Sequence, residues 1–221
     1  RRLFCGGVIV SDTHILTAAH CMTRKKASKV WIVAAEHNWN DPNHTRITRF
    51  IKKIHYHKKF KPGFESRADV AILELYHPLP LTVPSVRTLC LPDPEAEDFA
   101  GRIGTVAGWG ITSIHTEELS NKLQVIQVPI WNNTECRKTG FGKNILKHML
   151  CAGEVEGGID ACTGDSGAGL SIENEGRHLL VGTVSFGFSC ALPRWPGVYT
   201  RTSSFSSWIE EIIKSGITCE N

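Results

Sequence analysis

The sequence contains no long apolar run, no low-complexity tract and no internal repeat. Its hydrophobic stretches fall short of the roughly 18 residues that a bilayer-crossing helix requires, which argues against a membrane span. Its 10 prolines and 20 glycines are scattered rather than clustered, so no disordered linker is expected. Charge of one sign is also scarce. The 25 basic and 22 acidic residues leave +3 over 221 residues, too little to imply a nucleic-acid or membrane partner from the total. Missing too is the C-x-x-C spacing of a zinc or thioredoxin-like centre, although there are 8 cysteines. A cytosolic enzyme seldom carries so many, and disulfides formed in an oxidising, extracellular compartment are the better reading. Two Asn-x-Thr sequons, beginning at Asn43 and Asn132, agree with secretion and mark candidate glycosylation sites. No signal-peptide pattern opens the sequence, which therefore reads as a mature or trimmed form.

What is present is a globular balance, 41% hydrophobic and 21% charged, with mass for one large core or two small ones. Short β-branched or alternating segments recur between turn residues: 8–10, 30–34, 47–56, 70–75, 105–108, 123–130, 179–185 and 197–200. That spacing predicts an all-β barrel or sandwich. One helix is predicted at the end, where Phe205, Trp208, Ile209, Ile212 and Ile213 share a face, with Ser207 and Glu210 as a capping box and Gly216 as the stop. Prolines 78, 80, 84, 92 and 94 disfavour a central strand, and their segment reads as the connection between two β units.

Three stretches carry chemistry: Thr17-Ala18-Ala19-His20-Cys21, Ala68-Asp69-Val70-Ala71-Ile72-Leu73 and Gly164-Asp165-Ser166-Gly167. A serine hydroxyl is a weak nucleophile at neutral pH and needs an adjacent base, which in turn needs a buried acceptor to fix its tautomer. A lone histidine among alanines is ordinarily a packed core residue, so the conjunction of the motifs decides. In this order they resemble the chymotrypsin/trypsin family. The resemblance covers essentially the whole chain, including Cys5-Gly6-Gly7, Glu36-His37-Asn38, Cys90-Leu91-Pro92, Ala107-Gly108-Trp109-Gly110 and Pro196-Gly197-Val198-Tyr199-Thr200. It implies His20 as base, Asp69 as orienting carboxylate, Ser166 as nucleophile, and the N–H groups of Gly164 and Ser166 as an oxyanion hole. It places Asp160 at the base of the primary pocket, with Ser185, Gly187 and Gly197 also in contact with substrate. A carboxylate in a narrow slot is costly unless a cation pairs with it, so cleavage after Arg or Lys is expected. Ala161 removes a hydroxyl common in trypsins and would favour Arg modestly. Ser66, small where relatives are bulky, would open a neighbouring subsite.

The resemblance further implies bridges Cys5–Cys21, Cys136–Cys151 and Cys162–Cys190. The equivalent of Cys90 often bonds a light chain or propeptide, and Cys219 is left to pair with Cys90 or with another segment. Arg1-Arg2-Leu3-Phe4-Cys5 already lies inside the family's second conserved stretch. The catalytic domain therefore reads as N-terminally incomplete, without the Ile-Val-Gly-Gly type terminus whose α-amino group would pair with Asp165. Lacking it, the chain is expected to be zymogen-like. Gly167-Ala168-Gly169 departs from the usual Gly-Gly-Pro. Of the two acidic positions that hold calcium in trypsins, Glu36 matches the first but Arg46 occupies the second, and neither a metal nor another cofactor is expected. Pro196 before Gly197 resembles ordinary trypsins rather than sodium-responsive clotting enzymes. From Arg46 to Lys61 there are seven Lys or Arg residues, two histidines and no acid. This stretch reads as a solvated basic face, or as an exosite for an acidic protein or polyanion. His55 and His57 alternate on it without a third metal ligand.

The expected fold is all-β, two six-stranded antiparallel barrels with a C-terminal helix. The first barrel occupies 1–82 with His20 and Asp69, a connection 83–98, the second barrel 99–204 with Ser166 and the pocket, and a helix and tail 205–221. The expected function is a secreted serine endopeptidase acting on Arg/Lys bonds of protein substrates, within a coagulation, complement or innate-immune cascade. The rival is a catalytically silent homologue serving as a binding module or cofactor.

Overall fold

The structure is a computed structural model that describes residues 3–43, 45–62, 68–96 and 98–219. Ser66, and His44 within the first sequon, lie outside the described residues. Strands β1 (Val8–Ser11), β2 (His14–Thr17), β3 (Trp31–Ala34), β4 (Ile47–Tyr56) and β5 (Ala71–Leu75) form an antiparallel sheet in the order β1-β2-β5-β4-β3. Strands β6 (Ile103–Gly108), β7 (Gln124–Trp131), β8 (Met149–Ala152), β9 (Gly169–Asn174), β10 (Arg177–Phe186) and β11 (Gly197–Arg201) close into an antiparallel barrel. The architecture is the expected chymotrypsin-like pair of β units, and among the described residues the first is a five-stranded half-barrel sheet.

Each unit buries its own apolar face. Ile15, Met22, Ile51, Leu73 and Leu75 fill the first, while Val106, Val128, Leu150, Leu170 and Tyr199 fill the second. A third cluster joins them: Val8, Val10, Leu16, Val70 and Ile72 of the half-barrel pack with Leu180 of the barrel and with Phe205, Ile209 and Ile213. These last residues belong to a 3-10 turn (Thr202–Phe205) and to helix α2 (Ser206–Ile213). The helix therefore clamps the seam between the units. Its N-cap is Phe205, two residues before the expected Ser207, and no capping box forms. The Ser206 hydroxyl instead donates to the carbonyls of Pro92 and Thr202, tying the helix start to the inter-unit connection.

Register places the chemistry. Thr17 at the end of β2 pairs with Ala71 at the start of β5. In an antiparallel pair the chain leaving one strand lies beside the chain entering the other, so His20, on a 3-10 turn (Ala19–Met22), meets Asp69. Ser166 sits just ahead of β9, and Ser185 and Thr200 project from β10 and β11, which pair as Thr183↔Thr200. Burial of Ile209 at the seam makes Ile209→Ala cost about 3 kcal/mol, read as a lowered denaturant midpoint with unchanged m-value.

Candidate active site

Asp69 is 2% exposed, and donors from both units surround it. The His20 backbone N–H donates to its Oδ1 at 2.8 Å, and His20 Nδ1 lies 2.7 Å from Oδ2. The Ser185 hydroxyl donates to Oδ2 at 2.5 Å, and the Thr200 hydroxyl donates to the Asp69 carbonyl at 3.0 Å. Ser185, expected in contact with substrate, thus uses its side chain to hold the carboxylate. The bond to Asp69 raises the pKa of His20 against the opposing effect of burial. The histidine side chain is 39% exposed, and its Nε2 lies 3.9 Å from Cys21 Sγ. No hydrogen bond joins Ser166 Oγ to the His20 ring in this structure.

The loop around Ser166 is fixed by its backbone. The Asp165 N–H donates to Cys162 O, Gly167 N–H to Val184 O, Ala168 N–H to Asp165 O, and the Ser166 carbonyl accepts from Gly6 N–H. Among the described residues none accepts from the N–H of Gly164 or Ser166. Gly164 has φ +100° and Gly167 has φ +86°, conformations that L side chains rarely adopt. Ala168, the departure from Gly-Gly-Pro, is accommodated because its neighbour is Gly6. A Cβ built on Gly6 would stand 3.1 Å from the Ala168 methyl.

Asp160 lies close to the pocket wall. A Cβ on Gly197 would approach its Oδ1 to 2.8 Å, so only glycine leaves that side open. Its Oδ2 accepts from Ala191 N–H, whereas Oδ1 is buried without a partner. Burial raises its pKa to about 6 despite the Ala191 and Ala161 N–H groups that lower it. Asp165 accepts from Gly110 N–H and Cys162 N–H, and burial raises its pKa as well. Both carboxylates face a cavity of about 450 Å³, lined also by Gly108, Gly110, Ile111 and Leu192.

The structure thus holds a buried aspartate bonded to a part-exposed histidine, a serine on a glycine-held loop, and a half-buried carboxylate with one unpartnered oxygen beside Gly197. The sequence matches the family model described as Trypsin over residues 1–209. The chain belongs to the trypsin family. It is 38% identical over 215 residues to serine protease filzig of Drosophila melanogaster, covering 94% of this chain and 12% of that protein. It is 35% identical over 224 residues to the proclotting enzyme of Tachypleus tridentatus, covering 96% of this chain and 59% of that protein. The chain thus spans less than two thirds of either relative.

Around this trypsin-family site the cysteines pair as Cys5–Cys21, Cys136–Cys151, Cys162–Cys190 and Cys90–Cys219. The first lies beside His20 and the third closes the loop behind Asp160. The fourth is a correction. Cys90, expected to reach a light chain or propeptide, is bonded to Cys219, the other pairing open to that cysteine. Arg46 donates to the buried Glu36 carboxylate and to the carbonyls of Trp39 and Asp41, so a guanidinium occupies the centre of that loop. Cys5, His20 and Cys21 lie close enough to hold a metal, but both sulfurs are taken by their disulfide. His55 bonds Glu74, while the His57 ring packs against Phe205 and Trp208. Asn132 is exposed and caps helix α1 (Asn133–Cys136) by accepting from Thr134 N–H; Asn43 is exposed. No helix among the described residues is long and apolar enough to cross a membrane.

Thr200 and Gly6 escaped sequence reading, because each acts only through a neighbour remote in the chain. The signal for Ser185 was a hydroxyl in a strand whose adjacent residues are apolar. Ser185→Ala removes a donor from a buried carboxylate and should cost about 2 kcal/mol, measured by guanidinium denaturation.

Proposed function

We propose that the protein is a secreted serine endopeptidase that hydrolyses bonds after Arg or Lys in protein substrates. The observation that carries this reading is the unpaired Asp160 Oδ1 buried beside Gly197. A buried carboxylate oxygen without a partner is unfavourable, and a guanidinium or ammonium arriving in the slot between Gly187 and Gly197 relieves it. Ser166 then attacks the carbonyl carbon as His20 takes the hydroxyl proton. The N–H groups of Gly164 and Ser166 receive the oxyanion, and His20 returns the proton to the leaving amine. Water repeats the sequence on the ester, which releases the acid and restores Ser166. Ser185 and Thr200 position Asp69 throughout.

In the activated full-length protein, an α-amino group freed by proteolysis enters the cavity beside Asp165 and pairs with its carboxylate. Burial raises the pKa of Asp165 against the Cys162 and Gly110 N–H groups that lower it, so arrival of the amine would favour the charged carboxylate and lock the adjoining Gly164–Ser166 backbone. The name of the Tachypleus tridentatus relative, proclotting enzyme, supports a place in a proteolytic cascade. The four disulfides support an extracellular setting, with Asn43 and Asn132 as glycan acceptors. The missing Ser166–His20 hydrogen bond favours one rival, a silent homologue that binds without cutting. A panel of fluorogenic peptides with Arg, Lys, Phe or Ala at the scissile position separates the two. The activated protein should cleave only the Arg and Lys peptides, and Ser166→Ala should abolish turnover; an intact protein that cleaves none of them is the silent homologue.

The pocket carboxylate sets a pH dependence of its own. A cation binds ionised Asp160, and the folded pKa is raised to about 6, so affinity is complete above that pH and declines as pH falls through it. Benzamidine, which needs no turnover, should bind about 10-fold more weakly at pH 5 than at pH 7.5 by calorimetry, and Asp160→Asn should remove both the affinity and its pH dependence.

A further inference from the structure

We propose that residues 24–29 and 53–61 form a single surface that binds a linear sulfated polysaccharide. Arg24, Lys25, Lys26 and Lys29 follow the His20 turn and are all exposed. No acidic residue occurs from Thr13 to Ala35. This run meets the end of β4 through Tyr56, whose hydroxyl donates to Met22 O at 2.9 Å and whose ring stacks on Phe60 at 6.1 Å. The turn Ala27–Lys29 also packs along β4. Lys58 and Lys59 flank that stack on one side and Lys61 on the other; with Lys53 they are exposed. None of these lysines or Arg24 has an ion-pair partner among the described residues.

The structure redraws the basic stretch that sequence alone suggests. Arg46 is engaged by Glu36, Arg49 by the Pro78 carbonyl, and Lys52 with His55 by the two oxygens of Glu74. The charges of Arg46 and Lys52 are already answered within the fold. The cations without an ion-pair partner at 53–61 continue into a second run, 24–29, that is distant in sequence. On a chain of net charge +3 such a concentration makes a strongly polarised face. The cations ride on flexible stems across two turns, and neither the cavity beside Asp165 nor the one beside Cys219 is lined by them. Such a surface has no slot to select a side chain; it recognises charge density along a line, which a sulfated polysaccharide carries at close spacing.

The test is independent of catalysis. Heparin oligosaccharide is titrated into the full-length protein at about 0.15 M salt, together with poly-glutamate of matched length. Three triple variants remove equal charge: Arg24→Ser with Lys26→Ser and Lys29→Ser; Lys58→Ser with Lys59→Ser and Lys61→Ser; and, as a control on the second unit, Lys138→Ser with Lys143→Ser and Lys147→Ser. Each of the first two should weaken heparin binding by about 10-fold or more and the control by less than about 2-fold, with thermal midpoints unchanged. Equal weakening by the control would reduce the effect to net charge, and no weakening by the 24–29 variant would disprove a joint surface. Poly-glutamate binding as tightly as heparin would overturn the polysaccharide in favour of an acidic protein segment.

Discussion

Removing a carboxylate from water is among the least favourable steps in folding, and Asp69 makes that step at the seam of two β units. The half-barrel supplies the aspartate, together with the backbone N–H and ring of His20; the barrel supplies the hydroxyls of Ser185 and Thr200. Neither unit alone satisfies the group. The seam must therefore close in one register, and the same closure fixes the imidazole that faces the cleft. Helix α2, sealing the apolar cluster of Val10, Leu16, Leu180 and Ile209, holds the two units in that register.

Three carboxylates in this molecule, Asp69 buried and Asp165 and Asp160 half-buried, meet the same cost in different ways. Asp69 is fully supplied with donors and remains the orienting group. Asp165 has two backbone N–H partners and a cavity in front of it, so its environment still admits a cation. Asp160 keeps one oxygen bare, and its pKa is raised to about 6. The gradation from satisfied to unsatisfied runs from the group that must stay still to the group that must receive something. Glu36 shows a further solution, since Arg46 brings the cation from within the chain.

Much of this was legible in the sequence where local pattern dominates. The alternation from Ile47 to Tyr56 gives β4 with its ends in place, and the first two motifs mark His20 and Asp69, which the structure joins by hydrogen bonds. Strands β2, β8 and β9 were not legible, because β2 and β8 are four residues that run into a motif or contain a cysteine, too short to show a period, and β9 starts within the glycine-rich stretch after Ser166. The capping box at Ser207 failed because a tertiary bond from Ser206 to Pro92 outcompetes a local one. The pairing of Cys90 with Cys219 depends on the chain end returning to the inter-unit connection, a long-range fact with no local trace. In the same way, charge counting saw the 46–61 run but not which of its cations Glu36 and Glu74 had already claimed.

The most direct test of the account is covalent labelling of the activated full-length protein with a pair of peptidyl diphenyl phosphonates, one bearing an arginine-like side chain and one bearing phenylalanine, followed by mapping of the adduct by mass spectrometry. Phosphonylation requires a serine activated by its histidine and a side chain that suits the pocket. If Asp69 and His20 activate Ser166, and Asp160 selects the cation, the basic reagent labels Ser166 alone and the phenylalanine reagent labels nothing. Labelling of Ser166 by the phenylalanine reagent, or an adduct on any other residue, would contradict it.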